Sequence, residues 1–237
     1  MDIKELQNVY EGLPIFIVGA GPSIRYVDFN LIKDLPSIAI NSGILADRNI
    51  DYFLSDDIAV TFWNYYIEYI KNIDCFCLLY KNKLLKHSNH ISEDRKLFFN
   101  HCSRFRMCYD LSKPIIKART SMGTAVNIAY GMGANKIFLL GCDCSIEKNK
   151  RYFWEYYHRK DRPRKIKGTK HLNNKILKDD KYEYPVDKHS KAFIRYWNRF
   201  YRENKDILND EVEIINASYG NLECFKKIKP EEIDNYL

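Results

Sequence analysis

The sequence at residues 14–23 is Pro14-Ile15-Phe16-Ile17-Val18-Gly19-Ala20-Gly21-Pro22-Ser23. A short apolar run that ends in glycine and proline is typical of a buried strand followed by a tight turn. Glycines at positions 19 and 21 let the backbone approach an anion closely, and Ser23 can cap the helix expected next. The free N–H groups at the start of that helix would supply donors. We therefore predict a strand, a phosphate-binding loop and a helix.

Outside this stretch, further apolar runs predict buried strands, and several segments between them have helical spacing. The predicted strands span residues 37–41, 51–56, 75–80, 106–109, 136–140 and 212–215, and the predicted helices span 26–34, 59–71, 121–132 and 190–201. Residues 81–105 are polar and are interpreted as an irregular excursion. Strands that alternate with helices favour an α/β, Rossmann-like fold, with a mostly parallel sheet and helices on both faces.

The chain is expected to form a single domain over residues 1–237, with an insertion at 144–188. That insertion is basic and aromatic and has no periodicity, so we predict a lid over the strand ends. Residues 148–181 carry 13 Lys and Arg against 4 Asp and Glu, a surplus of nine in a chain of net charge +7. This charge suits an anionic ligand, an anionic membrane surface or, less well, nucleic acid, and a solvated segment is the alternative.

Composition bears on the location of the protein. No run of about 18 apolar residues is present, and the N-terminal residues lack the pattern of a signal peptide. The seven cysteines include the pairs Cys75/Cys77 and Cys142/Cys144, whose spacing is shorter than zinc sites use and favours reduced thiols. We predict a cytoplasmic protein, with attachment to the inner face of the membrane as an alternative.

Polar residues follow the predicted strands, at the edge where open parallel sheets bind ligands. The candidate nucleotide-binding residues in these positions are Gly19, Ala20, Gly21, Pro22, Ser23, Asn41, Ser42, Gly141 and Asp143. An NAD site is disfavoured because Ile24 stands where the dinucleotide fingerprint needs its third glycine, and Asn41 replaces the acidic residue. No Gly-Lys-Ser/Thr follows the loop, which excludes a P-loop.

A second anion site is predicted at the start of the helix at 121–132. Thr120, Ser121 and Gly123 offer hydroxyl groups and free amides there, and Arg119 adds a positive charge. Ordinary helix capping is the alternative interpretation of the same residues.

His189 is the candidate general base, because an imidazole tuned by its neighbours can accept a proton near neutral pH. Lys188 and Lys191 disfavour the imidazolium ion and Asp187 favours it, so the direction of the net pKa shift stays open. A surface histidine without a role is the alternative.

Three acidic residues are candidates for a metal site. Asp56, Asp57 and Asp143 follow two predicted strands and could hold Mg²⁺ against a substrate phosphate. They could equally accept hydrogen bonds from a ribose or from loop amides.

The segments described so far resemble two related groups of proteins. One is the bacterial sialyltransferases that use CMP-activated sugars. The other is the 6-hydroxymethylpterin diphosphokinase-like family, whose domain also occurs in motility-associated glycosyltransferases. The matching segments keep their order and span residues 17–23, 39–42, 120–123, 137–143, 188–191 and 214–218.

The resemblance to the sialyltransferases implies that the loop at 19–23 and Asn41 hold the nucleotide. It implies further that residues 121–123 line the donor site and that His189 is the base, although Lys188 replaces the glycine that precedes it in those enzymes. Those enzymes also carry a tyrosine that helps the phosphate depart, where this chain has Ser145. The candidates to replace that tyrosine are Tyr152, Tyr156 and Tyr157.

Three functions follow from these observations. The leading one is a transferase that uses a nucleotide-activated donor, namely a CMP-sugar glycosyltransferase with an unknown acceptor and no required cofactor. The second is an ATP- and Mg²⁺-dependent diphosphotransferase. The third is a non-enzymatic binder of nucleotides or nucleic acid, whose affinity would fall steeply with salt.

Overall fold

The structure is a computed structural model, and it describes residues 2–116, 120–158, 160, 162–163 and 181–237. The strands in this part of the chain are β1 (Pro14–Val18), β2 (Ser37–Ile40), β3 (Tyr52–Ser55), β4 (Phe76–Tyr80), β5 (Lys96–Phe99), β6 (His101–Cys102), β7 (Ile115–Ile116), β8 (Lys136–Leu140), β9 (Glu213–Ala217) and β10 (Lys226–Ile228). The α-helices are α1 (Lys81–Leu84), α2 (Ser121–Gly131), α3 (Lys188–Glu203) and α4 (Lys205–Asp210).

Short helical turns connect these elements. A π-helical turn spans Tyr65–Tyr69. The 3₁₀ turns span Ile3–Leu6, Pro22–Tyr26, Phe29–Leu31, Asn41–Leu45, Ile58–Phe62, Leu85–His87, Glu93–Arg95, Phe153–Tyr156 and Pro230–Tyr236.

Eight strands form one sheet in the order β10-β9-β8-β1-β2-β3-β4-β5, and every neighbouring pair is parallel. From β1 the chain moves outward through β2 to β5 and then returns to β8 on the other side of β1. The strand order therefore reverses between β1 and β8, which makes their carboxyl ends the topological switch point. The predicted α/β, Rossmann-like fold with a mostly parallel sheet is confirmed.

Alternating residues of each strand fill two cores, one on each face of the sheet. Ile15 and Ile17 pack on the face that α2, α3 and α4 cover. Phe16 and Val18 face the opposite core, which the π-helical turn and several 3₁₀ turns cover, and the Phe16 ring stacks on Phe138 with centroids 4.7 Å apart. Burial on both faces explains why the central strands are almost continuously apolar.

Two sequence predictions at the edges of the sheet were wrong. Residues 106–109 form no strand, because side chains satisfy the backbone there: Met107 N–H donates to Asn204 Oδ1 at 2.7 Å and Cys108 N–H donates to Asn127 Oδ1 at 3.2 Å. The polar segment at 81–105 contains β5, in which the buried Lys96 pairs with Glu93 at 2.6 Å. A lysine can be buried when a carboxylate pairs with its charge, and a strand that contains such a lysine lacks the apolar pattern by which buried strands are recognised.

Two predicted helices are shorter and tighter than expected. The segment at 26–34 contains the short 3₁₀ turn Phe29–Leu31. Asp28 caps this turn, because its side chain accepts a hydrogen bond from Asn30 N–H at 3.0 Å. The segment at 59–71 divides at Trp63, whose backbone is extended. The apolar spacing predicts two continuous helices, but the side-chain cap at Asp28 and the extended backbone of Trp63 interrupt them.

The described part of the insertion at 144–188 lies against the carboxyl ends of the strands. Phe153 N–H donates to the Ala20 carbonyl at 3.0 Å, and Trp154 Nε1 donates to Ser42 Oγ at 3.1 Å. Ile146 N–H donates to the Pro185 carbonyl at 2.8 Å, which joins the two ends of the insertion. Most of its basic middle, at 164–180, lies outside the described residues.

Within the described ranges, no helix is long and apolar enough to cross a membrane. All seven cysteines are free thiols, and Cys75, Cys77 and Cys142 are buried.

Candidate functional site

A cleft of about 540 Å³ opens at the carboxyl edge of the sheet, above the switch point. It receives residues from the loops after β1, β2, β3 and β8, from the starts of α2 and α3, and from the insertion. The predicted site residues that line it are Gly19, Ala20, Gly21, Asn41, Ser42, Asp56, Asp57, Thr120, Ser121, Gly141, Asp143 and His189. Residues separated by up to 170 positions in sequence thus share one cavity.

Of the remaining predicted residues, Pro22 and Ser23 are buried just behind the β1 loop and Gly123 is buried in the first turn of α2, away from the cleft surface. Arg119 lies outside the described residues.

The loop at 19–23 differs from a simple anion-binding loop, because protein groups already take several of its donors. Gly19 N–H donates to the Leu140 carbonyl at 2.7 Å, and Gly21 N–H donates to the Gly141 carbonyl at 3.0 Å. Ser23 does not cap the next turn, since its hydroxyl donates to Asp143 Oδ2 at 2.9 Å and its N–H to the same oxygen at 3.3 Å. The glycines therefore serve the close approach of two strand ends.

Asp143 links that loop to β8 from a buried position. Its side chain is 4% exposed and accepts hydrogen bonds from Ser23 alone among the described side chains. Burial disfavours the carboxylate and raises the pKa of Asp143 to about 7, although the hydrogen bonds from Ser23 oppose the shift. At neutral pH a large share of Asp143 is therefore uncharged.

This raised pKa makes the stability of the protein depend on pH. In the unfolded chain the pKa of Asp143 is about 3.9, so between about pH 4 and 7 the folded state binds a proton that the unfolded state has lost. Stability attributable to this group is therefore full below about pH 4, falls as the pH rises to about 7, and stays low above it.

Asp143→Asn should remove this dependence, because the amide oxygen can accept both Ser23 bonds without a charge. Urea unfolding at about pH 5 and pH 8.5 measures it: the difference in the free energy of unfolding between the two conditions should shrink by about 1 kcal/mol or more. An unchanged difference would show that Asp143 does not take up a proton on folding.

Asn41 is a strained polar residue of the cleft. Its backbone is left-handed, with φ of 49°, and its Oδ1 is buried without a hydrogen-bond partner among the described residues. Both features cost free energy, and such residues are concentrated at sites where a ligand supplies the missing partner.

Asp56 is held by hydroxyl groups at the start of α2 and by a buried histidine. Ser121 Oγ donates to Asp56 Oδ1, Thr124 Oγ1 lies 3.2 Å from Oδ2, and His101 Nε2 lies 3.4 Å from Oδ2. Burial opposes ionisation, but these hydrogen bonds outweigh it and keep the pKa of Asp56 below its ordinary value. The carboxylate thus fixes the first turn of α2 against β3.

The start of α2 also carries an ordinary cap. Thr120 Oγ1 accepts a hydrogen bond from Gly123 N–H at 3.1 Å. The capping interpretation therefore accounts for Thr120 and Gly123, whereas Ser121 both binds Asp56 and lines the cleft.

Two of the acidic residues predicted for Mg²⁺ already accept hydrogen bonds within the protein. Both oxygens of Asp56 are already acceptors, and Asp57 Oδ1 accepts from Ala59 N–H at 2.9 Å, where it caps a 3₁₀ turn. Across the described ranges, no group of three or more His, Cys, Asp or Glu is arranged to hold a metal ion.

His189 enters the cleft from the first turn of α3. Asp187 caps that helix by accepting from Ser190 N–H at 2.7 Å, and the His189 ring packs on Phe193 with centroids 4.0 Å apart. Burial, and then the positive charge of Arg151, lower the pKa of His189 below its ordinary value. The direction of the pKa shift, which the sequence left open, is thus downward. Its electrostatic cause is Arg151 and not the neighbouring residues that the sequence suggested.

Arg151 and an aromatic wall also line the cleft, and of these residues the sequence had suggested only Tyr152. Arg151 forms an ion pair with Asp187. The wall is formed by Trp63, Tyr65, Tyr152 and Trp154, in which Tyr152 stacks on Trp154 with centroids 4.9 Å apart. The basic, aromatic composition of the insertion was the available signal, but composition does not tell which of its residues face the cavity.

The three tyrosines considered as replacements for the missing tyrosine lie in different surroundings. Tyr152 lines the cleft. Tyr156 packs under the Arg25 guanidinium at 3.5 Å and donates to the Glu147 carbonyl, and Tyr157 is 40% exposed. Only Tyr152 is therefore positioned toward a ligand.

Comparison with known proteins supports the fold. No family model matches the chain, and neither does any curated protein. Among solved structures, the chain is similar to the MAf glycosyltransferase from Magnetospirillum magneticum AMB-1, with a TM-score of 0.61 and 13% identity over 95% of this chain. The alignment covers 35% of that protein, so the chain spans about a third of its length.

A second similarity is weaker. The sialyltransferase CstII from Campylobacter jejuni, solved in complex with a substrate analogue, cytidine-5'-monophosphate, aligns with a TM-score of 0.47 and 12% identity over 91% of this chain and 87% of its own. The fold is thus of the kind that the MAf glycosyltransferase has, on the strength of the first similarity.

Proposed function

We propose that this chain is a glycosyltransferase that uses a nucleotide-activated sugar, with a CMP-sugar as the donor. The observation that carries the proposal is the convergence of Asn41, Ser121 and His189 on one cleft at the switch point of a glycosyltransferase-like fold. Ligands of open α/β sheets bind at that position. The choice of CMP rests on the resemblance of the sequence segments to the sialyltransferases.

In the proposed reaction, some cleft residues bind the nucleotide and His189 transfers the proton. The buried, unpartnered Oδ1 of Asn41 can accept a hydrogen bond from the nucleotide, and the aromatic wall offers a face for its base. His189, kept neutral by burial and by Arg151, removes a proton from the acceptor hydroxyl as that oxygen attacks the anomeric carbon. The bond from that carbon to the donor phosphate breaks, and the nucleotide leaves with the electron pair.

A binding titration separates this proposal from its alternatives. CMP, ADP and ATP are titrated into the protein by calorimetry, each with and without Mg²⁺. Metal-independent CMP binding is expected, whereas ATP binding that requires Mg²⁺ would favour the diphosphotransferase. Binding of oligonucleotides that weakens steeply with salt, without preference for CMP, would favour the non-enzymatic binder.

Asn41→Gly should weaken CMP binding by about tenfold or more, because it removes the amide that awaits a partner. The free energy of unfolding should stay equal or increase, since glycine adopts the left-handed backbone without strain and no polar atom remains unsatisfied. Calorimetry and urea unfolding measure the two quantities.

The matched control is Asn8→Gly, at an exposed residue with φ of 59° far from the cleft. It should leave CMP affinity unchanged. Equal affinity of the wild type and Asn41→Gly would remove Asn41 from the binding site.

A further inference from the structure

Arg151 is a charged residue with a buried guanidinium and no complete set of partners. Its side chain is 12% exposed, and it forms an ion pair through Nη2 with Asp187, which is itself 3% exposed. Its Nε is buried and has no hydrogen-bond partner among the described residues. A buried guanidinium with an unused N–H group is costly, so a polar ligand at this position would stabilise it.

The backbone around Arg151 is held firmly next to the β1 loop. Glu155 Oε2 accepts hydrogen bonds from the N–H groups of both Arg151 and Tyr152, at 2.6 and 2.9 Å. Two residues further on, Phe153 N–H donates to the Ala20 carbonyl at 3.0 Å. Arg151 is therefore fixed on a turn that is bonded directly to the loop at 19–23, and it lines the cleft beside it.

Two carboxyl groups near Arg151, those of Asp187 and Asp143, bear on whether an anion can bind at this point. Asp187 is the only carboxylate that pairs with Arg151 in the described part of the chain, and its other oxygen accepts from Ser190 N–H at 2.7 Å. Asp143, which also lines the cleft, is only partly ionised at neutral pH because burial raises its pKa to about 7. A phosphate beside the guanidinium would thus meet less repulsion from Asp143 than from a fully ionised carboxylate.

We propose that Arg151 binds the donor phosphate in the cleft and neutralises it as the nucleotide departs. The assignment of that phosphate to a nucleotide rests on the proposed function, whereas the phosphate site itself does not. Arginine suits this role because its planar fork matches phosphate oxygens in bidentate geometry.

The test compares the binding of CMP, cytidine, inorganic phosphate and free N-acetylneuraminic acid by calorimetry. Arg151→Gln should weaken CMP and phosphate by about 10- to 100-fold, since a hydrogen bond to a charged group is lost, and should change cytidine by less than about twofold. Lys150→Gln removes the same charge one residue away, where Nζ lies over the Tyr156 ring at 3.7 Å, and should leave all four affinities within about twofold.

Asp187→Asn provides a change of the opposite sign. The amide oxygen of the new asparagine can still cap α3. The negative charge of Asp187, which competes with a phosphate for Arg151, is removed, so CMP and phosphate should bind about two- to tenfold more tightly. A purely structural ion pair predicts the reverse, because both variants would then weaken binding alike. Should Arg151→Gln fail to fold, Asp187→Asn decides the matter: tighter phosphate binding supports the site, and unchanged or weaker binding overturns it.

The outcomes separate this inference from the proposed function. Equal CMP affinity in the wild type and Arg151→Gln would overturn the phosphate site and leave the glycosyltransferase proposal intact. Phosphate binding that depends on Arg151, in a protein that binds no nucleotide, would uphold the site and overturn the donor. Weakened N-acetylneuraminic acid with unchanged CMP would assign Arg151 to a carboxylate and overturn the phosphate assignment.

Discussion

His189→Ala should lower the turnover of sugar transfer by roughly 10²- to 10⁴-fold and leave CMP affinity nearly unchanged. The reason is that in the proposed mechanism the general base acts on the acceptor hydroxyl, whereas the strand-end loops would hold the nucleotide. His189 lines the cleft and packs on Phe193, so its removal leaves a small cavity without touching those loops. Turnover is measured with a CMP-sugar donor, and affinity by calorimetry.

His87→Ala is the matched control, because His87 is exposed and does not line the cleft. It should retain full activity. A His189→Ala variant with wild-type turnover would remove the mechanism and leave the binding site standing.

The pH dependence of the transfer rate provides a second test of the role of His189. A base must be uncharged to accept a proton, and the pKa of His189 is lowered by burial and by Arg151. The rate should therefore rise with pH through a value below about 6.5 and be flat near pH 7. A rate that keeps rising well above pH 7 would assign the proton transfer to another group.

Gly21→Ala should abolish measurable CMP binding and lower the free energy of unfolding by about 1–3 kcal/mol. The backbone at Gly21, with φ of −67° and ψ of 163°, suits alanine, so the cost is one of contact alone. A Cβ there would lie 1.9 Å from Asp143 Oδ2 and 2.6 Å from the Gly141 carbonyl oxygen. The loops after β1 and β8 would have to separate, and they form the floor of the cleft.

Gly12→Ala is the control for this change. A Cβ at Gly12 meets nothing within 4 Å, but φ is 75°, so the substitution should cost about 1–2 kcal/mol of backbone strain without affecting binding. Urea unfolding and CMP calorimetry on both variants make the comparison. Wild-type affinity in Gly21→Ala would show that the close approach of the two loops is not needed for the ligand.

The sequence by itself determined the central architecture. Strands such as β1 and β8 are buried on both faces, and this burial requires a continuous apolar run that can be recognised locally. The order of strands and helices then implies a parallel sheet, and the parallel sheet implies a ligand edge at the strand ends. For this reason most of the site residues that the sequence predicted do line the cleft.

Where a local pattern depends on which side chains pair with each other or with the backbone, the sequence alone gave wrong predictions. The buried Lys96 obscured β5 because Glu93 compensates its charge, and residues 106–109 form no strand because Asn127 and Asn204 bind their backbone. Apolar spacing records whether a residue is buried, but it does not record which polar groups satisfy a backbone.

Only the tertiary structure decided how the polar groups of the cleft are used. Ser23 and Asp143 are 120 positions apart, yet their hydrogen bond occupies donors that the sequence had assigned to a phosphate. The unsatisfied oxygen of Asn41, the lowered pKa of His189 and the pairing of Arg151 with Asp187 likewise arise from burial and from charges brought together by folding. Electrostatic interaction depends on distance in space and on exclusion of water, and neither quantity is written in the order of residues.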